Sequence, residues 1–141
     1  MIFPGTARSE TGLSKGQTIY VPAYSHIYYG DREQPFNLTI TLSIRNTDME
    51  NPITLLSVNY YDSEGRLVQK CLENSFNLAP LSSTRYVIKE SDKSGGSGAS
   101  FIIAWKSEKK VSQPIAETIM ISTLTQQGIS FSSRGVVIRE H

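Results

Sequence analysis

The chain has few of the side chains on which most active sites and metal sites depend. It contains one cysteine, Cys71, and two histidines, His26 and His141. A single cysteine excludes an intrachain disulfide and any zinc site that needs two cysteine ligands from one chain. Because His141 is the last residue, where chains are usually mobile, an internal site has only His26 available. We therefore expect no metal and no cofactor.

Neither charge nor hydrophobicity is concentrated in one part of the chain. The formal net charge is +1, whereas a nucleic-acid-binding domain carries a basic stripe. We therefore expect no nucleic-acid partner. No run approaches the roughly 20 apolar residues of a membrane-spanning helix, so no transmembrane segment is expected. The first residues, Met1 to Pro4, are too short for the apolar region of a signal peptide, which leaves both the cytoplasm and export from a longer precursor open.

The clearest pattern is the alternation between Phe36 and Arg45. Every even position is a large apolar residue, and every odd position is Asn, Thr, Ser or Arg. Successive side chains of a strand point to opposite faces, so this run predicts a strand with one face in the core and the other in water. A helix would spread the same apolar residues around its circumference. An antiparallel β fold with a one-sided core follows.

Two polar clusters predict tight turns between such strands. Asn and Asp side chains can bond their own backbone, which predicts a closed turn over Asn46 to Pro52. The sequence Asp62 to Gly65 predicts a hairpin in which Gly65 supplies the left-handed residue. The strand that returns from this hairpin is expected over Arg66 to Leu72.

The whole chain shows turn residues at intervals typical of a β-sandwich. They predict an immunoglobulin-like antiparallel sandwich of roughly seven to nine strands, with an eight-stranded barrel as the alternative. A crossover expected around Leu78 to Leu81 favours the sandwich. Residues 1–16 lack periodicity and are expected to form a flexible arm before a single domain of residues 17–141. Pro22 cannot donate a ladder hydrogen bond, which predicts that the first strand lies at a sheet edge.

Tyr24 to Asp31 is the segment with the strongest functional character. It contains three of the seven tyrosines, Tyr24, Tyr28 and Tyr29, together with His26. Tyrosine combines a flat apolar ring with a polar tip, which suits a partly exposed binding surface, and the loops of sandwiches often carry binding function. The alternative interpretation is that these rings close the end of the core.

Two further features could bind an anion. The Gly/Ser loop from Ser94 to Gly98 could bring the backbone N–H groups of Gly95 and Gly96 close to an anion, although it lacks the lysine and helix of a phosphate loop. Arg134 could hold a carboxylate or phosphate with its two-pronged guanidinium. The plainer interpretations are a flexible connection and an arginine on the outer face of a strand.

No catalytic arrangement is recognisable in the sequence. There is no Gly-x-Ser-x-Gly turn, no His-x-His pair and no calcium loop. An enzyme or metal protein centred on His26, with Asp31 or Glu33 beside it, is the weakest alternative, and we expect no enzymatic activity. Cys71 is expected to be buried and inert; an exposed thiol there could join two chains.

Five segments resemble a bacterial family known as domain of unknown function 3124. They lie between Gly16 and Ile138 and are Tyr20–Tyr28, Leu42–Asp48, Tyr60–Asp62, Ser94–Ala99 and Gln126–Phe131. The resemblance implies a small exported or lipid-anchored envelope protein with no assigned activity and no catalytic residues to transfer. It therefore predicts a periplasmic or outer-surface location, although this chain shows no signal peptide or lipobox cysteine.

Together these observations predict a non-catalytic binding module of the bacterial envelope, with a protein or glycan ligand at one loop end. Support for this prediction is stronger if the tyrosine segment and the Gly/Ser loop lie at the same end of the fold. The second hypothesis is assembly through an edge strand, either the strand of Pro22 or that of Arg66 to Leu72. The expected binding residues are Tyr24, His26, Tyr28, Tyr29, Asp31, Gly95, Gly96 and Arg134.

Overall fold

The computed structural model describes residues 12–29, 34–122 and 128–141, and within these ranges the chain forms strands and turns without a helix. All strand pairs are antiparallel, so the all-β class is confirmed. The strands of the described residues are β1 (Leu13–Ala23), β2 (His26–Tyr29), β3 (Gln34–Asn37), β4 (Thr39–Arg45), β5 (Ile53–Tyr61), β6 (Leu67–Lys70), β7 (Phe76–Leu78), β8 (Ser83–Ile88), β9 (Ala99–Ser112), β10 (Ile115–Ser122), β11 (Ile129–Arg134) and β12 (Val136–Glu140).

The strands form two main sheets and one small hairpin. The larger sheet has the order β12-β1-β9-β5-β6, with β7 also paired to β5, and the smaller has the order β11-β10-β4-β8. The hairpin consists of β2 and β3. In the described part of the chain neither main sheet closes on itself, so the architecture is that of a sandwich rather than a barrel. The apolar faces of the sheets form one core, with the fully buried Trp105 on the middle strand of the larger sheet.

The alternation that predicted a strand over Phe36 to Arg45 is confirmed, with one interruption. All even residues from Phe36 to Ile44 are buried, and β4 lies centrally in its sheet. At Leu38, however, the backbone N–H donates to the carbonyl of Ser25, at 3.0 Å. This bond separates β3 from β4, because it directs the chain out of the small hairpin and into the four-stranded sheet.

The sequence predicts seven to nine strands, whereas the described residues form twelve. The additional strands are either short or arise where one continuous apolar segment passes from one sheet to the other. Gly135 divides the last apolar run into β11 and β12, which belong to opposite sheets. A Cβ at Gly135 would lie 2.8 Å from Ile19 Cγ2 and 3.0 Å from the Ala116 carbonyl oxygen, so only glycine lets the backbone cross so closely. Strands of three to five residues are too short to give a clear period.

The prediction that Pro22 marks an edge strand is wrong, because β1 lies between β12 and β9. The proline is tolerated since β12 pairs with β1 only from Gln17 to Tyr20, and Pro22 lies beyond that stretch. Its carbonyl accepts a hydrogen bond from Thr118 Oγ1, at 2.7 Å. β1 also begins at Leu13, earlier than the domain start expected at residue 17. The other strand proposed as an edge, β6, does end its sheet.

The predicted turns are both present. In the hairpin between β5 and β6, Gly65 has a φ of +81° and the register shifts by a bulge, as expected for a left-handed residue. In the turn that follows β4, Asp48 accepts hydrogen bonds from the backbone N–H groups of Glu50, Ser112 and Asn51, at 2.8–3.1 Å. Because these bonds favour the charged form, they lower the pKa of Asp48 below its ordinary value of 3.8.

Replacement of Asp48 should destabilise the fold in a pH-dependent way. A group with a lowered folded-state pKa contributes its full stability above its ordinary pKa and loses it as the pH falls through the folded value. We expect Asp48→Ala to lower the free energy of unfolding at pH 7 by roughly 1–2 kcal/mol, a figure discounted for the solvated carboxylate. Urea unfolding at pH 7, 5 and 3 measures this, with Glu50→Ala as the control for an exposed neighbouring carboxylate. A loss that is as large at pH 3 as at pH 7 would contradict the assignment.

Candidate binding site at the loop end

One end of the sandwich brings three segments together: Tyr24–Tyr29, the hairpin Asp62–Gly65 and the Gly/Ser loop Ser94–Gly98. They meet because β1 and β5 both end beside the start of β9 in the antiparallel register of the larger sheet. We call this region the loop end. The tyrosine segment and the Gly/Ser loop therefore share one end of the fold, which is the arrangement that favours a binding site there.

The Gly/Ser loop is hydrogen-bonded to both of its neighbours. The carbonyl of Gly96 accepts from the N–H and the hydroxyl of Ser25, at 2.9 and 3.1 Å. The carbonyl of Gly95 accepts in the same way from Ser63, also at 2.9 and 3.1 Å, and the Ser63 hydroxyl accepts from the N–H of Gly98 at 2.9 Å. The loop thus links the tyrosine segment to the hairpin, which is a structural role for both glycines. Anion binding by their N–H groups stays a prediction.

Glycine is required in this loop because the backbone packs directly on other groups. A Cβ at Gly95 would overlap the hydroxyl of Tyr60 and lie 2.6 Å from its Cζ. Gly96 has a φ of +80°, and its Cβ would lie 2.6 Å from Ser63 Oγ. Tyr60 is fully buried beneath the loop, its hydroxyl has no hydrogen-bond partner within the described residues, and burial raises its pKa well above the ordinary range.

Tyr28 and the half-buried His26 form an aromatic pair on the surface of the loop end. Their rings are edge to face, with centroids 5.2 Å apart and an interplanar angle of 82°, and His26 Nε2 lies 3.2 Å from the Tyr28 hydroxyl. The two side chains share one face of β2, while Ile27 between them packs against the core opposite Phe36. The hairpin therefore presents an aromatic pair to solvent from a base anchored in the core. Tyr28 is 55% exposed.

Tyr24 behaves differently from Tyr28. Its ring packs edge-on against Phe131 of β11, with centroids 5.5 Å apart, and is partly buried against the core. This packing agrees with the alternative interpretation, in which the ring closes the end of the core, and a binding role for Tyr24 stays a prediction. The side chain of Tyr29 and the whole of Asp31 lie outside the described residues.

Arg134 does not join the loop end. It pairs with Glu117 at the far end of β11, whereas Ile129 starts that strand beside the loop end. At about 3.3 Å per residue, the five-residue separation places Arg134 roughly 17 Å away along the strand. An alternation pattern gives a residue's face but not its distance from another loop, and the separate anion-binding role suggested for Arg134 stays a prediction.

The described residues contain no cluster of side chains suited to a metal ion. Within them no three His, Cys, Asp or Glu residues lie close enough to hold a metal ion, and no helix is long and apolar enough to cross a membrane. His26 contacts Ser25 and Tyr28; Asp31 and Glu33, its hypothetical acidic partners, are outside the described ranges. Burial raises the pKa of the half-buried Cys71 to about 11, which keeps this thiol protonated at neutral pH.

The fold and the loop end define a small β-sandwich with an exposed aromatic pair. The chain belongs to the family described as protein of unknown function (DUF3124), whose model matches residues 16–138. A search among curated proteins gives no match. The crystal structure of Thermotoga maritima 1070 is similar with a TM-score of 0.49 and 9% identity, over 91% of this chain and 97% of that chain.

The packing of Gly95 on Tyr60 can be tested by stability measurements. We expect Gly95→Ala to lower the free energy of unfolding by roughly 1–3 kcal/mol because the methyl group overpacks the site. Tyr60→Phe should be neutral or stabilising, since it removes a buried hydroxyl without a protein partner. The double variant should recover only part of the loss, because the ring carbon still lies close.

Urea unfolding of the two single variants and the double variant measures the coupling energy. Gly98→Ala is the comparison variant: its Cβ would lie 3.3 Å from the Ser63 hydroxyl and would not overlap a buried ring, so a smaller loss of stability is expected. If Gly95→Ala is as stable as the wild-type protein, or if its effect on the free energy of unfolding is independent of Tyr60→Phe, the loop does not pack as described.

Proposed function

We propose that this protein is a non-catalytic binding module that holds its ligand at the loop end through Tyr28 and His26. The observation that carries the proposal is the orientation of an exposed aromatic pair on a hairpin whose base is fixed. Exposed tyrosines usually rotate freely, but here the ring lies edge to face with His26 and its hydroxyl is 3.2 Å from Nε2, contacts that favour one orientation of the ring. A restrained aromatic side chain loses little conformational entropy when a ligand binds.

The same face suits a glycan better than a charged ligand. Asn37 lies directly opposite His26 in the hairpin register, so a flat ring, an imidazole and an amide lie side by side. None of the three is a carboxylate, a lysine or an arginine. The Tyr28 ring can pack against the apolar face of a sugar while the imidazole and amide exchange hydrogen bonds with its hydroxyls.

Three grooves of the described residues lie away from this end: one beside Asn51 and Lys109, one on the outer face of the four-stranded sheet and one beside Pro114 and Gly135. The aromatic pair stands on the surface, so a ligand held by it would bind across that surface, as an extended glycan can. An envelope glycan is our choice because the family resemblance implies an exported protein. A protein ligand on the same residues is the second candidate ligand.

Binding of purified peptidoglycan fragments and neutral oligosaccharides, measured by calorimetry, tests the proposal. We expect Tyr28→Ala to weaken binding roughly tenfold or more, as truncation of an aromatic anchor does. Tyr20→Ala is the matched control, because Tyr20 is a 37% exposed tyrosine on β1, outside the loop end. Equal losses in both variants, or unchanged binding by Tyr28→Ala, would contradict the site. Binding of none of these glycans would contradict the ligand class.

Edge-strand assembly remains the second candidate function, and β12 is the observation that favours it. Val136, Val137 and Ile138 are 60%, 38% and 58% exposed on the outermost strand of the larger sheet. Soluble proteins usually protect such edges with charges or proline, and in β12 the charged residues, Arg139 and Glu140, stand only at its C-terminal end. If β12 pairs with another chain, the protein should sediment as a concentration-dependent dimer and Val137→Lys should restore the monomer. A wild-type monomer at high concentration would exclude self-assembly through β12.

A further inference from the structure

The outer face of the four-stranded sheet carries two arginines side by side. In the register of β4 with β8, Ser43 lies opposite Arg85 and Arg45 lies opposite Ser83. Leu42 and Ile44 point into the core, so their odd-numbered neighbours on β4 point outward. Arg45 and Arg85 therefore stand on one face in diagonal positions, which places their Cβ atoms within about 8 Å of each other.

These arginines line a groove of about 460 Å³ together with the hydroxyl groups of Thr41, Ser43 and Ser83. We call it the arginine groove. In the described part of the chain, ion pairs within 4.0 Å are formed by Arg66, and neither groove arginine has one. Like charges in neighbouring positions of a sheet repel each other. The pair is thus a local excess of positive charge on a protein that is nearly neutral as a whole.

The acid that faces the groove along the sheet does not compensate this charge. Glu117 lies opposite Ser43 on β10, but on its other side it lies opposite Arg134 of β11. This carboxylate is therefore opposite Arg134 and diagonal to Arg45, while Arg85 lies two strands away, so one negative charge stands among three positive charges on this face. An anion bound between Arg45 and Arg85 would remove the repulsion and receive the two-pronged hydrogen bonds that guanidinium groups give to phosphate and carboxylate.

We propose that the arginine groove binds a phosphate or carboxylate group of a ligand, with Arg45 and Arg85 as the charged donors and the Ser43 and Ser83 hydroxyls beside them. The site is independent of the loop end. Thr39, at the start of β4, adjoins the loop end, and the two arginines lie further along the sheet, at the level of Ser43 and Arg45. At about 3.3 Å per residue they are roughly 13 and 20 Å from Thr39 along the strand, so Tyr28→Ala should leave anion binding unchanged.

NMR titration of the isotopically labelled protein tests the site with two probes, inorganic phosphate and an oligogalacturonate, at constant ionic strength set with sodium chloride. We expect saturable shifts of the backbone amides of Ser43, Arg45, Ser83 and Arg85. Saturation by phosphate alone identifies a phosphorylated ligand, saturation by the uronic-acid oligomer alone identifies a carboxylated one, and saturation by both supports a general anion site.

The double variant Arg45→Gln/Arg85→Gln should weaken this binding at least about tenfold. Two control variants, Arg66→Gln and Arg139→Gln, change charge elsewhere on the surface, and their combination removes the same two charges. Thermal unfolding of each variant confirms that the fold is intact. Shifts that do not saturate with either probe, or an equal loss in the control double variant, would overturn the proposal.

Discussion

The candidate site depends on the backbone carbonyls of Gly95 and Gly96, which accept hydrogen bonds from Ser63 and Ser25. The two sheets fix where their strands end, but they do not fix the connections between those ends. These bonds do so, because they attach the Gly/Ser loop to the tyrosine segment on one side and to the hairpin on the other. Together with the packing of Ile27 in the core, they set the position of the aromatic pair on β2 relative to the rest of the molecule.

The fold supplies this arrangement through simple packing constraints. Alternating residues bury one face of each long strand, and the antiparallel register then brings the ends of β1 and β5 to the start of β9. Tyr60 fills the space below the Gly/Ser loop so closely that position 95 cannot carry a side chain. Core and loop end are therefore continuous, so a surface pair such as Tyr28 and His26 is supported by packing that extends from the core.

Local patterns were sufficient to predict the class, the buried face of β4 and the left-handed conformation of Gly65, because each depends on neighbours in sequence. The break at Leu38 and the sheet change at Gly135 were not predictable, since both arise from contacts with distant residues. For the same reason the prediction of an edge strand from Pro22 was wrong. The residues of β1 do not indicate that β12 pairs with part of this strand and ends before Pro22. The diagonal placement of Arg45 and Arg85 on neighbouring strands likewise depends on the register between β4 and β8. Composition does not predict it.

Hydrogen exchange of individual amides tests the central claim most directly. If the Gly/Ser loop holds the loop end together, the N–H groups of Ser25, Ser63 and Gly98 should exchange slowly and with similar opening free energies, because they belong to one cooperative unit. Leu42 in the core of β4 provides the internal reference for global unfolding. Exchange of the Ser25 and Ser63 amides at nearly unprotected rates, with Leu42 still protected, would contradict the account.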